Sequence, residues 1–139
     1  MKRLFLALTL VAVFAFSAFA GVQDFGKFTI DVPDGWTAEQ DGETVGIVKD
    51  DNSAAMSISV DTTDGASLKE IADEFFKELN GKNLQADNNV YTFEFTNANG
   101  VVSKAILSGE GSQYCLFVIT GAENAPEEIS KMLDSVVEK

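Results

Sequence analysis

The sequence predicts an α+β fold in which a mostly antiparallel sheet of about six to seven strands is flanked by two helices, in an α/β/α sandwich-like arrangement. Apolar and polar residues alternate through most of the chain, and short turns rich in Gly, Asp and Asn separate the alternating runs. At two places the apolar spacing changes to that of a helix. Runs of strands interrupted by single helices are typical of this fold class.

The first half of the chain predicts four strands. Residues 28–32 alternate apolar and polar side chains, and the turn Pro33-Asp34-Gly35 follows them. Asp41-Gly42 predicts a hairpin, because these residue types readily adopt the left-handed backbone of a tight turn. The four predicted strands begin near Phe28, Trp36, Thr44 and Ala54.

Two helices are predicted from apolar spacing and end signals. Ser67 and Glu70 have the spacing of a capping box at the start of a helix over Ser67–Asn80, with Gly81 as its left-handed cap. The second helix covers about Ala125–Glu138. It has a proline followed by two glutamates in its first turn, as the positive end of a helix favours.

Three further strands lie between the helices. Residues 90–96 and 101–107 flank the hairpin turn Asn99-Gly100, and residues 114–120 are almost continuously apolar. A strand of the last kind is typically central in its sheet and covered on both faces. Alternation then gives each face three apolar side chains: Tyr114, Leu116 and Val118 on one, and Cys115, Phe117 and Ile119 on the other.

Residues 1–20 have the three parts of a cleavable secretory signal peptide. Lys2 and Arg3 precede an apolar run from Leu4 to Phe16, and Ala18-Phe19-Ala20 forms the cleavage site. We therefore expect a periplasmic or secreted protein that begins at Gly21, with residues 21–139 forming a single domain. No second apolar stretch follows, so no integral membrane span is expected after signal removal.

The stretch from Phe28 to Trp36, with its Pro-x-Gly-Trp turn, resembles the opening strand of the PsbP-like and DcrB-like families. The order of four strands, helix, three strands and helix is also similar to theirs, over residues 24–138. The resemblance implies an antiparallel sheet with a helix on each face. It also implies an accessory, chaperone-like or assembly factor without catalysis. Some relatives are lipoproteins, but this chain lacks a lipid-accepting cysteine at the predicted cleavage site.

The charge of the chain excludes several partners. The formal net charge is −12, and loss of Lys2 and Arg3 with the signal peptide makes it −14. Such a surface repels nucleic acids, and Arg3 is the only arginine available for bidentate phosphate binding. The chain has one cysteine, Cys115, so no disulfide framework is expected.

The residue types also argue against catalysis, and we expect no enzyme activity and no cofactor. The chain has no histidine, the usual partner in nucleophilic triads and zinc sites. Cys115 lies in the most apolar strand, where an inert core thiol is expected. The Phe75-Phe76 pair and the Tyr91, Phe93 and Phe95 stripe have the spacing of core residues rather than of a ligand pocket.

Two alternatives remain open because carboxylates are abundant. One is a small secreted hydrolase that works through a carboxylate pair. The other is a calcium-dependent envelope module, for which the weak candidate ligands are Asp50, Asp51, Asp61 and Asp64 in two acidic turns. Neither turn completes a calcium loop, and turn-forming Asp and Asn explain both segments equally well.

The sequence favours an exported, non-enzymatic accessory or binding protein of the cell envelope that acts through contacts with another envelope protein. If the two helices cover opposite faces of the sheet, the binding site falls on the rim of the sheet. Trp36, next to a turn, is expected to be partly exposed there. The candidate partner-contact residues are Trp36, Asp34 and Asp41.

Overall fold

The computed structural model describes residues 21–138, and for Glu110 only the backbone. Within this range the chain forms ten strands, two α-helices and a short 3-10 helix at Ala122–Asn124. The strands are β1 (Gly21–Asp24), β2 (Phe28–Val32), β3 (Trp36–Asp41), β4 (Thr44–Lys49), β5 (Ala55–Thr62), β6 (Lys82–Asp87), β7 (Val90–Thr96), β8 (Val102–Glu110), β9 (Gln113–Thr120) and β10 (Val137–Glu138). The helices are α1 (Leu68–Glu78) and α2 (Pro126–Ser135).

The strands of the described range form two sheets, and every paired neighbour is antiparallel. The large sheet has seven strands in the order β3-β4-β5-β9-β8-β7-β6, and the small sheet has the order β1-β2-β10. This confirms the predicted α+β class and the mostly antiparallel sheet. The strand at residues 28–32, however, lies in the small sheet and not beside β3.

Both predicted hairpins form. β3 and β4 pair from Trp36 opposite Lys49 to Asp41 opposite Thr44, so Gly42 and Glu43 make the connection. Gly42 has a φ of 64°, the left-handed conformation that favours glycine. In the β7–β8 hairpin the side chain of Asn97 accepts hydrogen bonds from two backbone N–H groups of the turn, which fixes its shape.

β9 separates two apolar cores. Its paired neighbours are β5 and β8, so it lies in the middle of the large sheet. Cys115, Phe117 and Ile119 face a core that includes β2 and α2. Tyr114, Leu116 and Val118 face a second core under α1. The predicted alternation along β9 and the placement of the helices on opposite faces are therefore both confirmed.

Helix α1 begins as predicted but ends differently. The Ser67 hydroxyl accepts from the Glu70 backbone N–H, and the Glu70 carboxylate accepts from the Ser67 backbone N–H. At the other end Asn80, not Gly81, adopts the left-handed conformation, with a φ of 56°. Gly81 donates to the carbonyl of Phe76 at 2.8 Å, and a Cβ on it would lie 2.7 Å from the ring of Phe93. The glycine is therefore needed for close packing.

Helix α2 is shorter than predicted. It ends at Ser135, not near Glu138, because the chain becomes extended at Val136 and Val137 then pairs with Thr29 of β2. Strands β1, β6 and β10 were not expected from the sequence. β6 is exposed along its whole length, and its two apolar residues, Leu84 and Ala86, alternate with polar ones over too short a run to predict a strand.

The large sheet is covered on one face by α1 and on the other by α2 and the small sheet, and these covers lie over different strands. α1 packs on β7 and β8, whereas α2 and the small sheet share a core with β3, β4, β5 and β9. Among residues 21–138 no helix combines the length and apolar character needed to cross a bilayer. The predicted signal peptide, residues 1–20, and its cleavage site lie outside the described residues.

Candidate functional site

The edge strand β3 carries two different environments on one face. Trp36, Ala38 and Gln40 point toward α2 and the small sheet, because side chains two residues apart share a face of a strand. Trp36 and Gln40 are four residues apart, about 13 Å along the strand. We call the surroundings of Trp36, with Lys49 and Glu128, the closed end of β3. The surroundings of Gln40, with Phe25, Lys27 and Glu43, are the open end.

At the closed end a large side chain fills the space beneath α2. Trp36 is 2% exposed and belongs to the core that includes Ile129 of α2. The ammonium group of Lys49 lies 5.8 Å from the centre of the indole ring, within range of a cation–π interaction. Lys49 also approaches Glu128 of α2, with 3.6 Å between the ammonium nitrogen and the nearer carboxylate oxygen. The indole N–H has no acceptor among the described residues.

The expectation that Trp36 is partly exposed is therefore wrong. The adjacent turn does lie at the surface, but the strand pleat directs the indole under α2. The sequence indicates the turn but does not show that α2 covers the indole. Direct contact between this ring and a partner is not available in this conformation.

At the open end the sheet and its cover leave a cavity of about 150 Å³, which we call the β3 cavity. It lies between the small sheet and the β3–β4 hairpin. Its residues come from the β1–β2 connection, the start of β2, the hairpin and β5. They are Phe25, Lys27, Phe28, Gln40, Gly42, Glu43 and Val60.

Hydrogen bonds hold the walls of the β3 cavity in place. The side-chain amide of Gln40 donates to the carbonyl oxygens of Phe25, at 3.2 Å, and Gly42, at 3.3 Å. It thereby joins the β1–β2 connection to the hairpin. The Lys27 ammonium nitrogen lies 2.7 Å from a Glu43 carboxylate oxygen and 3.5 Å from the Val60 carbonyl oxygen. These bonds fix both the polar rim and the position of the Phe25 backbone.

The two acidic partner-contact candidates lie at opposite ends of β3. Asp34 is exposed in the turn before the closed end, and Asp41 is exposed beside the open end. Asp41 is adjacent in the chain to Gln40 and Gly42, although the pleat directs its side chain toward the other face of the sheet. Burial of Glu39 raises the pKa of that carboxyl, and the charge of Asp41 raises it further. The structure therefore does not bring Asp34 and Asp41 into one site.

The acidic turn at residues 50–53 uses its carboxylates internally. Asp51 accepts from the Ser53 hydroxyl at 2.6 Å and from the Ser53 backbone N–H at 2.9 Å. These hydrogen bonds stabilise the ionised form and lower the pKa of Asp51. Asp50 accepts from the Thr37 hydroxyl at 3.0 Å. Asp51 thus stabilises the turn itself, as the turn interpretation of this segment requires, and Asp50 links the turn to β3.

The second acidic turn lies at the other end of β5. Asp61 accepts from the backbone N–H of Thr62 at 2.8 Å, and Asp64 accepts from the Thr62 hydroxyl at 3.0 Å. Since β5 separates the two turns, their carboxylates do not converge. The described residues contain no group of three or more His, Cys, Asp or Glu side chains placed to hold a metal ion. Independence from metal stays a prediction.

Cys115 is a buried thiol next to the wall of the β3 cavity. It is 1% exposed and lies opposite Val60 in the pairing of β5 with β9. Burial raises the pKa of the Cys115 thiol to about 12, with a smaller contribution from the charge of Glu138. The thiol is therefore protonated at physiological pH and is a poor nucleophile.

The aromatic residues singled out from the sequence pack in the second core. Phe75, Phe93 and Phe95 are each about 3% exposed or less. The rings of Phe76 and Phe93 meet edge to face, with centroids 5.4 Å apart, and Tyr91 packs against the same cluster. The core interpretation of these residues is confirmed.

Sequence reasoning predicted Phe28 and Val60 as strand residues and Gly42 as a turn residue, but it did not bring any residues of the β3 cavity together as a site. Phe25 precedes the first predicted strand, and Lys27, Gln40 and Glu43 are common surface residue types. They meet only because the small sheet folds over the large one. The available signal was Phe25 itself, an aromatic residue outside any alternating run.

No family model matches the chain, and no curated protein is similar to it at a significant level. Among solved structures it is similar to the solution structure of cyanobacterial PsbP (CyanoP) from Synechocystis sp. PCC 6803. The two chains are 12% identical, and the superposition covers 93% of this chain and 99% of that one, with a TM-score of 0.56. Together with the antiparallel sheet and its two covers, this similarity shows that residues 21–138 have a PsbP-like fold.

Proposed function

We propose that this chain is an exported, non-enzymatic accessory or binding protein of the cell envelope that acts through contacts with another protein. The observation that carries the proposal is the PsbP-like fold. The accessory role is what the resemblance to the PsbP-like and DcrB-like families implies. Residues 21–139 act as one domain in this proposal, and no cofactor takes part.

Export is the first part of the proposal. It is supported by the charged start, apolar run and cleavage site of residues 1–20. The processed protein should begin at Gly21 and be found in the periplasm or the medium. Intact-mass measurement of the exported protein tests this, and a species that keeps Met1–Ala20 would contradict it.

The chemistry of the described residues supports a binding role. Asp51, Asp61 and Asp64 accept hydrogen bonds from within their own turns, and Asp50 accepts one from Thr37 of β3. The Cys115 thiol is buried and protonated, and the chain has no histidine. A carboxylate hydrolase needs two carboxyl groups facing each other across a substrate, about 5 to 10 Å apart. The β3 cavity presents a single carboxylate, Glu43, which is already paired with Lys27.

The test is affinity capture of the tagged, exported protein from its own envelope, followed by a binding titration with each purified candidate. We expect one protein that binds saturably and that does not bind the chain after heat unfolding. Failure to find a saturable partner, together with hydrolysis of an envelope polymer by the purified chain, would overturn the proposal in favour of the hydrolase.

A further inference from the structure

We propose that the β3 cavity receives one apolar side chain presented by a cationic segment of the partner protein. This inference rests on the proposed function, because it states which surface the partner occupies and what chemistry the partner must offer. It is carried by the size of the cavity, its apolar floor and the charge around its mouth.

The size of the cavity selects a single side chain. Sites for small organic ligands usually enclose about 300 to 1,000 Å³, whereas the β3 cavity measures about 150 Å³. An enclosed apolar cavity of about this volume accommodates a benzene-sized group. The β3 cavity is open to solvent at a polar rim and apolar only at its floor, so its apolar part is smaller than that. One aliphatic side chain such as leucine is therefore the matching occupant, and such single anchors often supply much of the energy of a protein interface.

The floor of the cavity is apolar and already formed. Phe28 and Val60 are 2% and 1% exposed, and Phe25 is half-buried above them. The rings of Phe25 and Phe28 lie 5.7 Å apart, and the Phe25 backbone N–H donates to the Phe28 carbonyl at 2.9 Å. Because Gln40 also holds this connection, little ordering is required when an anchor enters, which lowers the cost of binding.

The mouth of the cavity favours a cationic segment around the anchor. Lys27 and Glu43 are 45% and 49% exposed in their side chains, so the mouth is open to solvent. Their charges compensate each other across 2.7 Å. Asp24 and Asp41 are exposed and lie near this pair in the chain, although the pleat directs Asp41 toward the other face of the sheet. Because the Lys27–Glu43 pair is neutral, the long-range field at the mouth is set by the net charge of the protein, which is −12 for the whole chain. This negative field attracts lysine or arginine.

The direct test titrates the exported protein with three blocked pentapeptides while backbone amide resonances are followed by NMR. The first has leucine between two pairs of lysines, the second has serine in place of leucine, and the third has leucine between two pairs of glutamates. We expect the first to shift resonances at residues 25–28, 40–43 and 60, and the other two to bind roughly tenfold more weakly. Equal binding of all three peptides, or no shift at these residues, would overturn the proposal.

Two matched pairs of variants test whether the peptide binds at the β3 cavity. Val60→Ile fills part of the cavity and should weaken the leucine peptide, whereas Val45→Ile adds the same group to a core position that does not line the cavity. Asp41→Lys should slow association of the lysine peptide more than Asp34→Lys does at the closed end. If Val45→Ile weakens binding as much as Val60→Ile, the effect comes from general destabilisation and the cavity is not the site.

These results separate this inference from the proposed function. A chain that still binds its captured partner when Val60→Ile is introduced keeps the accessory role and loses the β3 cavity as its contact. A chain that binds the leucine peptide but captures no envelope protein keeps the pocket and loses the accessory role.

Discussion

The two ends of β3 lie on the same face of one strand and next to the same core, but a side chain fills the space under the cover at only one of them. At the closed end the indole of Trp36 occupies the space between the sheet and α2 and is 2% exposed. At the open end the shorter amide of Gln40 is bonded to two carbonyl groups, and the β3 cavity remains. The two ends therefore differ both in the side chain that β3 presents and in the element that covers it, which is α2 over Trp36 and the β1–β2 connection over Gln40.

Each end of β3 has one lysine–glutamate pair, and the surroundings of the two pairs differ as the two ends do. Lys49 lies over the Trp36 ring and pairs with Glu128 at 3.6 Å, so it covers a packed core. Lys27 pairs with Glu43 at 2.7 Å beside an empty space. The same pair of residue types therefore lies over a packed core at one end of β3 and at the mouth of a cavity at the other.

The largest expected effect on stability comes from removing the side chain that fills the closed end. Trp36→Ala should lower the free energy of unfolding by about 3–5 kcal/mol, because it removes a large buried side chain and leaves a void. Gln40→Ala should cost less than about 1 kcal/mol, since it removes only two neutral hydrogen bonds from an exposed residue. Urea denaturation of both variants measures the difference. Similar losses for the two variants would break the contrast between the ends.

Unfolding measurements at high pH test whether solvent in the β3 cavity reaches the Cys115 thiol behind Val60. The Cys115 thiol has its pKa raised from about 9 to about 12, so between these values the unfolded chain releases a proton that the folded chain retains. The thiol's contribution to stability is fully present below pH 9. Above that pH it is lost at up to about 1.4 kcal/mol per pH unit until pH 12.

Urea denaturation of the wild type and of Cys115→Ala at pH 8, 10 and 11 isolates this contribution, because lysines and tyrosines titrate equally in both. We expect the wild type to lose more stability than the variant as pH rises. Parallel losses would mean that the thiol is solvated through the β3 cavity and that the cavity is deeper than the structure shows.

The smallest expected effect comes from adding one methylene group at the open end. Val60→Ile should leave the free energy of unfolding unchanged or raise it by up to about 0.8 kcal/mol, since the new group is buried in existing space. Val45→Ile, at a packed core position on the same face of the large sheet, should lower the free energy of unfolding by about 1–3 kcal/mol through overpacking. Thermal or urea unfolding distinguishes them, and an equal cost at both positions would show that the cavity is not available for packing.

Local patterns predicted those elements whose signals lie within a few residues of each other. The capping box at Ser67 and Glu70 and the alternation along β9 all formed as expected. β10 was missed, and α2 was predicted too long. At Val137, helical spacing competes with a strand pairing to Thr29, a residue distant in the sequence. The position of Gly81 was also misread, because its role is close approach to the Phe93 ring rather than a left-handed backbone.

The sequence by itself determined the fold class, the net charge, the absence of histidine and the division of apolar residues between two faces of a central strand. These follow from residue types and from the period of the backbone, which act locally. The tertiary structure decided that Trp36 is covered and that Phe25, Lys27, Gln40 and Glu43 surround a cavity. Both outcomes depend on how the small sheet and α2 pack over the large sheet. That packing is the sum of many contacts between residues distant in the chain.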